Sequence, residues 1–369
     1  MFIRNPNQAQ PIRILVDSLA DAGLPNAQMG NAREIVSRLE PDRFHVTMFV
    51  LGQPDARIAA RPNTRLIKLP RKRQTFTILS EFLRGAHEIL FYMKSSPASR
   101  WYLNVRKKVG DRRPTIGMLE SQLDLRSEPT ISAEEIRLWE QTVLRCDHLF
   151  SNSRSVQKSA GREYGIGSEV IPTGVDTTFF VPDFRRPWNS RPQVLFVGSL
   201  RPFKQPQLVV AAAVRFPQAD FRIAGDGILA AELRSQIPTL GVKNVTLLGS
   251  RTADELRREY QNTDVFLFPS TWEGSPKVIL EAAACGLPVI ARNDYSPETV
   301  LHETTGLLAN SNEQVCNYLE CLLNNPALRQ RMGANGRKHS EQYDWNLITK
   351  QWQEIFLTLA RPQNARKVS

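Results

Sequence analysis

The stretch Val265 to Ala291 can fold in few ways. Val265-Phe-Leu-Phe268 is a short apolar run of the kind that forms a strand buried on both faces. Glu273-Gly-Ser-Pro276 interrupts it as a loop, a helix follows, and Pro288-Val-Ile-Ala291 begins the next strand. Two carboxylates, Glu273 and Glu281, stand eight positions apart. One lies at the mouth of the strand–loop–helix unit and the other about two turns along its helix. Backbone N–H groups at the helix start point outward between them and can hold an anion. Such an edge suits a nucleotide sugar, with phosphates on the N–H groups and hydroxyls on the carboxylates.

The same alternation runs through the chain. Ile12–Val16 reads as a first parallel strand, Asp17–Gly30 as a loop, Asn31–Leu39 as a helix and Phe44–Leu51 as the next strand. Strands follow near 65–69, 115–119 and 147–151, with helices near 77–93, 133–145 and 153–164. Between 172 and 192 the pattern breaks over four prolines, which continue neither a helix nor a central strand. A second βα series begins at Val194, with strands near 220–224, 245–248, 265–269 and 288–291. An amphipathic helix spans 345–360. The expected class is α/β: two Rossmann-like doubly wound domains facing a central cleft. Their bounds are 1–180 and 193–344, and the 345–360 helix returns to the first.

The sequence has 369 residues, 41% hydrophobic and 23% charged, enough for two full cores. No apolar run approaches the ~20 residues that span a bilayer, and the start lacks the pattern of a signal peptide. The four cysteines fall in no metal spacing, and a reducing cytoplasm is expected. Net charge is +11, concentrated in residues 1–190, which hold 28 Lys/Arg against 20 Asp/Glu. That excess favours a polyanionic partner, with nucleic acid less favoured than an anionic membrane surface.

Glu273-Gly-Ser-Pro-Lys-Val-Ile-Leu-Glu281-Ala-Ala-Ala-Cys-Gly-Leu-Pro-Val resembles the E-x7-E signature of family 4 glycosyltransferases, retaining enzymes of the two-Rossmann GT-B fold. Gly30-Asn-Ala-Arg-Glu resembles that family's Gly-rich first loop and helix. Val197-Gly-Ser-Leu-Arg-Pro-Phe-Lys204 resembles its phosphate strand and loop. The resemblance implies transfer of a sugar from a nucleoside diphosphate donor to an acceptor hydroxyl, with no metal or other cofactor. It assigns the diphosphate to Lys204, to Arg201 in place of an arginine the family has where this chain has Ser199, and to the backbone of Gly274, Ser275 and Lys277. Glu281 takes the ribose diol and Glu273 the sugar hydroxyls. Gly249 and Ser250 lie beside the base, and Gly30 gives the phosphate close access to the backbone. Glu120 occupies the place of a family histidine near the reacting carbon, as an acid–base group or a stabiliser of positive charge. Glu298 resembles the family's final acidic position.

Two other functions stay open on these residues: a nucleotide-sugar epimerase of the same fold, and a non-catalytic binder of nucleotide sugar. The basic segment 100–113, with Trp101 and Tyr102, follows an apolar stripe at Leu79, Phe82, Leu83, Ala86, Ile89, Leu90 and Met93. It reads either as a peripheral membrane-docking surface or as a core helix with a solvated charged face.

Overall fold

A computed structural model describes residues 10–22, 27–124, 131–183 and 189–360. The chain divides into two compact units. The first comprises residues 1–152, 157–171 and 346–369, and the second 153–156 and 172–345.

The first unit runs β1 (Ile12–Leu19), α1 (Ala27–Arg38), β2 (Phe44–Val50), α2 (Ala56–Ala60), β3 (Thr64–Lys68), α3 (Gln74–Arg84), β4 (Ile89–Met93), α4 (Pro97–Val105), β5 (Thr115–Leu119), α5 (Ala133–Glu140), β6 (His148–Ser151), α6 (Arg154–Tyr164) and β7 (Glu169–Val170). Its seven strands are all parallel, in the order β3-β2-β1-β4-β5-β6-β7. Strand order reverses between β1 and β4, so ligands are expected at the carboxyl ends of these strands.

One helix was expected over 77–93, and here the structure corrects the reading. α3 ends at Arg84, and Ile89–Met93 forms the central strand β4, buried throughout. A run such as Ile-Leu-Phe-Tyr-Met carries no period that separates strand from buried helix. Of the expected stripe, Phe82 is wholly buried, and Leu79 and Leu83 pack against the same core as α4. Phe82 and Tyr102 meet edge to face at 5.4 Å. A second correction concerns Gly30. It lies within the first turn of α1, not in a loop before it, because the helix starts four residues earlier than Asn31. The expected 133–145 helix stops at Glu140 and is followed by a 3-10 turn at Val143–Arg145.

The second unit runs β8 (Gln193–Val197), α7 (Pro206–Arg215), β9 (Asp220–Ala224), α8 (Ala230–Thr239), β10 (Val245–Gly249), α9 (Ala253–Gln261), β11 (Val265–Phe268), α10 (Lys277–Ala284), β12 (Val289–Arg292), β13 (Gly306–Ala309), α11 (Asn312–Asn324) and α12 (Pro326–Ser340). Its sheet is parallel, in the order β10-β9-β8-β11-β12-β13, and reverses between β8 and β11. The segment before it holds no helix or strand among its described residues, and Arg185–Trp188 of the expected linker lie outside them. Val175 and Phe180 already belong to this unit's core.

The last helix, α13 (Trp345–Ala360), falls in the first unit from Asn346 onward. There Trp352 and Phe356 pack on Phe91, with ring centroids 4.8 and 4.9 Å apart, and Trp352 also meets Phe150 at 4.9 Å. Both helix residues are fully buried, so the apolar side of the 345–360 pattern completes the first unit's core.

Candidate functional site

The second unit gathers its chemistry where β8 and β11 end. A 3-10 turn, Pro202–Lys204, follows β8. Phe203 O accepts from Thr271 N at 2.9 Å, which ties this turn to the loop after β11. The neighbouring loops approach just as closely. A Cβ on Gly225 would sit 1.8 Å from Gly198 O, so no side chain fits there, and φ is +139°.

This tie brings together two residues that sequence spacing could not join. The Lys204 ammonium forms an ion pair with Glu273 Oε1, both side chains being nearly buried at 14% and 11% exposure. Ser270 donates its hydroxyl to the same carboxylate oxygen at 2.6 Å. Lys204 also lies 5.0 Å from the ring centre of Phe268 and 5.4 Å from that of Phe203, within cation–π range. An ammonium has three N–H donors, so holding Glu273 leaves it further capacity.

Beyond Glu273, Gly274 is buried and Ser275 half-buried, and α10 begins at Lys277 after an N-cap proline. The N–H groups of Ser275 and Lys277 carry no hydrogen bond to described residues. Donors of this kind at a helix start are suited to an anion. One turn on, Glu281 is half-buried and accepts from the Tyr260 hydroxyl at 3.0 Å. Burial pushes the Glu281 carboxyl above its ordinary range, against the opposing pull of Lys277 and of Tyr260. Tyr260 comes from α9 and is wholly buried. Neither it nor Ser270 was singled out in the sequence, because each lies in a separate element and shows only as a core aromatic and a loop serine.

The remaining donor-side candidates lie on the same sheet edge. Arg201 is exposed just before the 3-10 turn. Gly249 ends β10 with φ +70°, its carbonyl accepting from Gly225 N at 2.9 Å, and Ser250 is exposed. Glu298 is exposed and accepts from Arg154 N at 2.7 Å.

In the first unit Glu120 is the first residue after β5. Its Oε1 accepts from Asn31 Nδ2 at 2.7 Å and from the Tyr92 hydroxyl. Its backbone carbonyl accepts from Asn152 Nδ2 at 3.1 Å. Tyr92, the last residue but one of β4, lies in the left-handed region at φ +63°, a costly conformation for a buried aromatic. Burial, and then the neighbouring Glu120 carboxylate, hold the Tyr92 proton in place far above its ordinary range. Gly30 sits one residue before Asn31 on α1 and is half-buried.

This architecture is that of the GT-B glycosyltransferases: two parallel-sheet α/β domains. The chain superposes on sucrose-phosphate synthase from Thermosynechococcus elongatus with a TM-score of 0.77 and 21% identity, over 95% of this chain and 99% of that one. On the Anabaena protein HepE, solved with UDP and glucose, the TM-score is 0.74 at 19% identity, over 94% and 100%. At such identities the likeness establishes the fold. Within the chain, residues 182–339 match the family described as Glycosyl transferases group 1. Over 198 residues the sequence is 33% identical to the D-inositol 3-phosphate glycosyltransferase of Arthrobacter sp. (strain FB24), covering 48% of this chain and 47% of that protein. Over 191 residues it is 30% identical to a sulfoquinovosyl transferase of Arabidopsis thaliana, covering 48% and 37%. The chain thus aligns with less than half the length of each of these two curated relatives.

Proposed function

We propose that the chain is a glycosyltransferase that moves a sugar from a nucleoside diphosphate sugar, bound by the second unit, to an acceptor hydroxyl bound by the first. The observation that carries this reading is the grouping of Lys204, Glu273, the α10 N–H groups and Glu281 at the strand-order reversal of the second sheet. Match to a glycosyltransferase family over that same unit supports it.

The chemistry follows from the parts. Cleavage of the sugar–phosphate bond leaves charge on the departing diphosphate. Lys204 is held in place by Glu273 and offers its remaining N–H donors to that charge. The N–H groups of Ser275 and Lys277 add to it, with Arg201 as a further cation. Glu273 keeps its second oxygen for the sugar hydroxyls, and Glu281 takes the ribose diol. Glu120 is fixed in place by two donors to one oxygen, Asn31 Nδ2 and the Tyr92 hydroxyl. A carboxyl held in this way suits a group that steadies positive charge on the sugar ring or serves as its acid–base partner. Retention of the anomeric configuration and independence from metal are part of this proposal, carried by the resemblance of the 273–290 segment. UDP is the first nucleotide to try, since HepE was solved with it.

Glu281→Gln tests the donor side. It should weaken binding of the nucleoside diphosphate by a few kcal/mol at most, the cost of removing a charged acceptor, without lowering the melting temperature. The direction with pH is also set. Because burial raises the Glu281 carboxyl, wild-type affinity should fall as pH drops through that raised range, and the variant should lack this component. Calorimetric titration of both proteins with UDP across pH checks it. Equal affinities throughout would remove Glu281 from the donor site.

A peripheral position on an anionic membrane belongs to the same proposal. Helices α3 and α4 pack on one core and leave Phe76, Trp101 and, just beyond α4, Val109 exposed, at 69%, 57% and 64%. Arg73, Arg100, Lys107, Lys108 and Arg112 are exposed beside them in sequence. No helix among the described residues is long and apolar enough to cross a membrane. Each basic residue near an anionic surface contributes about 1 kcal/mol. Phosphatidylserine vesicles should therefore sediment the protein at low salt and release it at high salt, and Trp101→Ser should weaken the capture. Capture indifferent to lipid charge and salt would contradict this.

A further inference from the structure

We propose that the first unit holds a phosphate monoester at the carboxyl ends of β1 and β4, gripped by Arg33 and Lys94. The proposal deepens the reading above, because the phosphate would be carried by the acceptor.

Arg33 lies on α1 and is nine-tenths buried, yet it is poorly paired. Its Nε is 4.0 Å from Asp55 Oδ2, beyond hydrogen-bond reach, and its buried Nη1 has no hydrogen-bond partner. Asp55 is occupied elsewhere, accepting from Arg57 N at 2.9 Å and Arg57 Nη2 at 2.9 Å. A buried guanidinium with an idle N–H group is costly, and a ligand that completes it would offset that cost.

Lys94 is the first residue after β4 and is half-buried. Its ammonium makes no ion pair or hydrogen bond with a described residue. Burial pushes it down from its ordinary value; Asp17 opposes, Arg33 pushes the same way, and Asp21 opposes. These two carboxylates are aimed at other groups. Asp17 accepts from Lys94 N at 2.9 Å and Ser99 Oγ at 3.2 Å, while Asp21 accepts from the N–H groups of Leu51 and Gly52. The acids therefore brace the loops, and the cations keep unused donors. On the same edge, Ser18 Oγ and Asn31 Oδ1 are buried without hydrogen bonds. Two cations with unused donors at a strand-order reversal match a dianion better than a neutral polyol.

Direct binding separates this proposal from the transferase reading, because it needs no donor and no turnover. The full chain is titrated calorimetrically with glucose 6-phosphate, glucose and glucuronate, and in parallel with UDP. The expected result is binding of glucose 6-phosphate alone among the three. Lys94→Gln and Arg33→Gln should each weaken it about ten- to hundredfold, the range for one charged hydrogen-bonding partner, with UDP affinity unchanged. Lys94 is partly exposed, so its variant keeps the test valid if the Arg33 variant fails to fold. The proposal is overturned if glucose 6-phosphate does not bind, if glucose or glucuronate binds as well, or if Lys94→Gln leaves the affinity unchanged. Failure of UDP to bind while glucose 6-phosphate does would count against the donor reading instead.

Discussion

Lys204→Met should lower kcat/KM for sugar transfer by about 10²–10³, the usual loss when one preorganised donor to a developing charge is removed. The Lys204 ammonium is the one cation joined directly to Glu273 in the described residues, and it sits against Phe203 and Phe268. Its removal also leaves the Glu273 carboxylate with Ser270 in a nearly buried place, and breaking a buried pair destabilises a fold. The variant is therefore read beside Lys204→Met/Glu273→Gln, which removes both charges. If Lys204 acts only as a structural partner, the double variant should recover UDP affinity along with its melting temperature. If it neutralises the diphosphate, stability returns and UDP affinity does not. Steady-state kinetics of the single variant, with UDP titrations and melting curves for the wild type and both variants, decide it.

Glu120→Gln should lower the transfer rate by about 10²–10⁴, with donor affinity close to that of the wild type. The amide keeps the size of the side chain and can still accept from Tyr92 and Asn31 through its oxygen. Only the charge is lost. The left-handed Tyr92 backbone is a reason to expect a functional role here, since such strain persists where the surroundings impose it. Tyr92→Phe, which removes one donor to Glu120, should give a smaller loss of the same kind. Single-turnover rates measured beside UDP affinity separate the two effects. Wild-type turnover in Glu120→Gln would make Glu120 a brace for α1 and nothing more.

Much of the second unit was legible because its strands are short, apolar and bounded by glycine or proline. Asp220–Ala224 was read with the bounds it has, and the strand at Val265–Phe268 to within one residue. The loop from Glu273 to Pro276 and the helix after it were legible for the same reason. The first unit was harder. β4 has no charged residue, so its apolar run merged with the stripe of α3 despite Gly85, the glycine that ends that helix. The placement of Gly30 failed because nothing in Ala-Gln-Met-Gly-Asn announces a helix start, and no acidic residue marks its first turn. At the site, spacing along one helix placed Glu281 relative to Glu273. Contacts between separate elements were invisible: Lys204 with Glu273, Tyr260 with Glu281, and Tyr92 and Asn31 with Glu120. These depend on how elements distant in sequence meet within each unit, around β8/β11 in the second sheet and around β1/β4 in the first, which no local pattern encodes.

The central claim is that the second unit binds the nucleoside diphosphate of a sugar donor. Thermal shift of the full chain against UDP-, GDP- and ADP-sugars at millimolar concentration tests it most directly. A donor present at 100 times its Kd adds about 2.7 kcal/mol of stability. The account predicts that one nucleotide class raises the melting temperature of the wild type and that Glu281→Gln reduces the shift. If no nucleotide sugar or nucleoside diphosphate shifts the wild type, the account is contradicted.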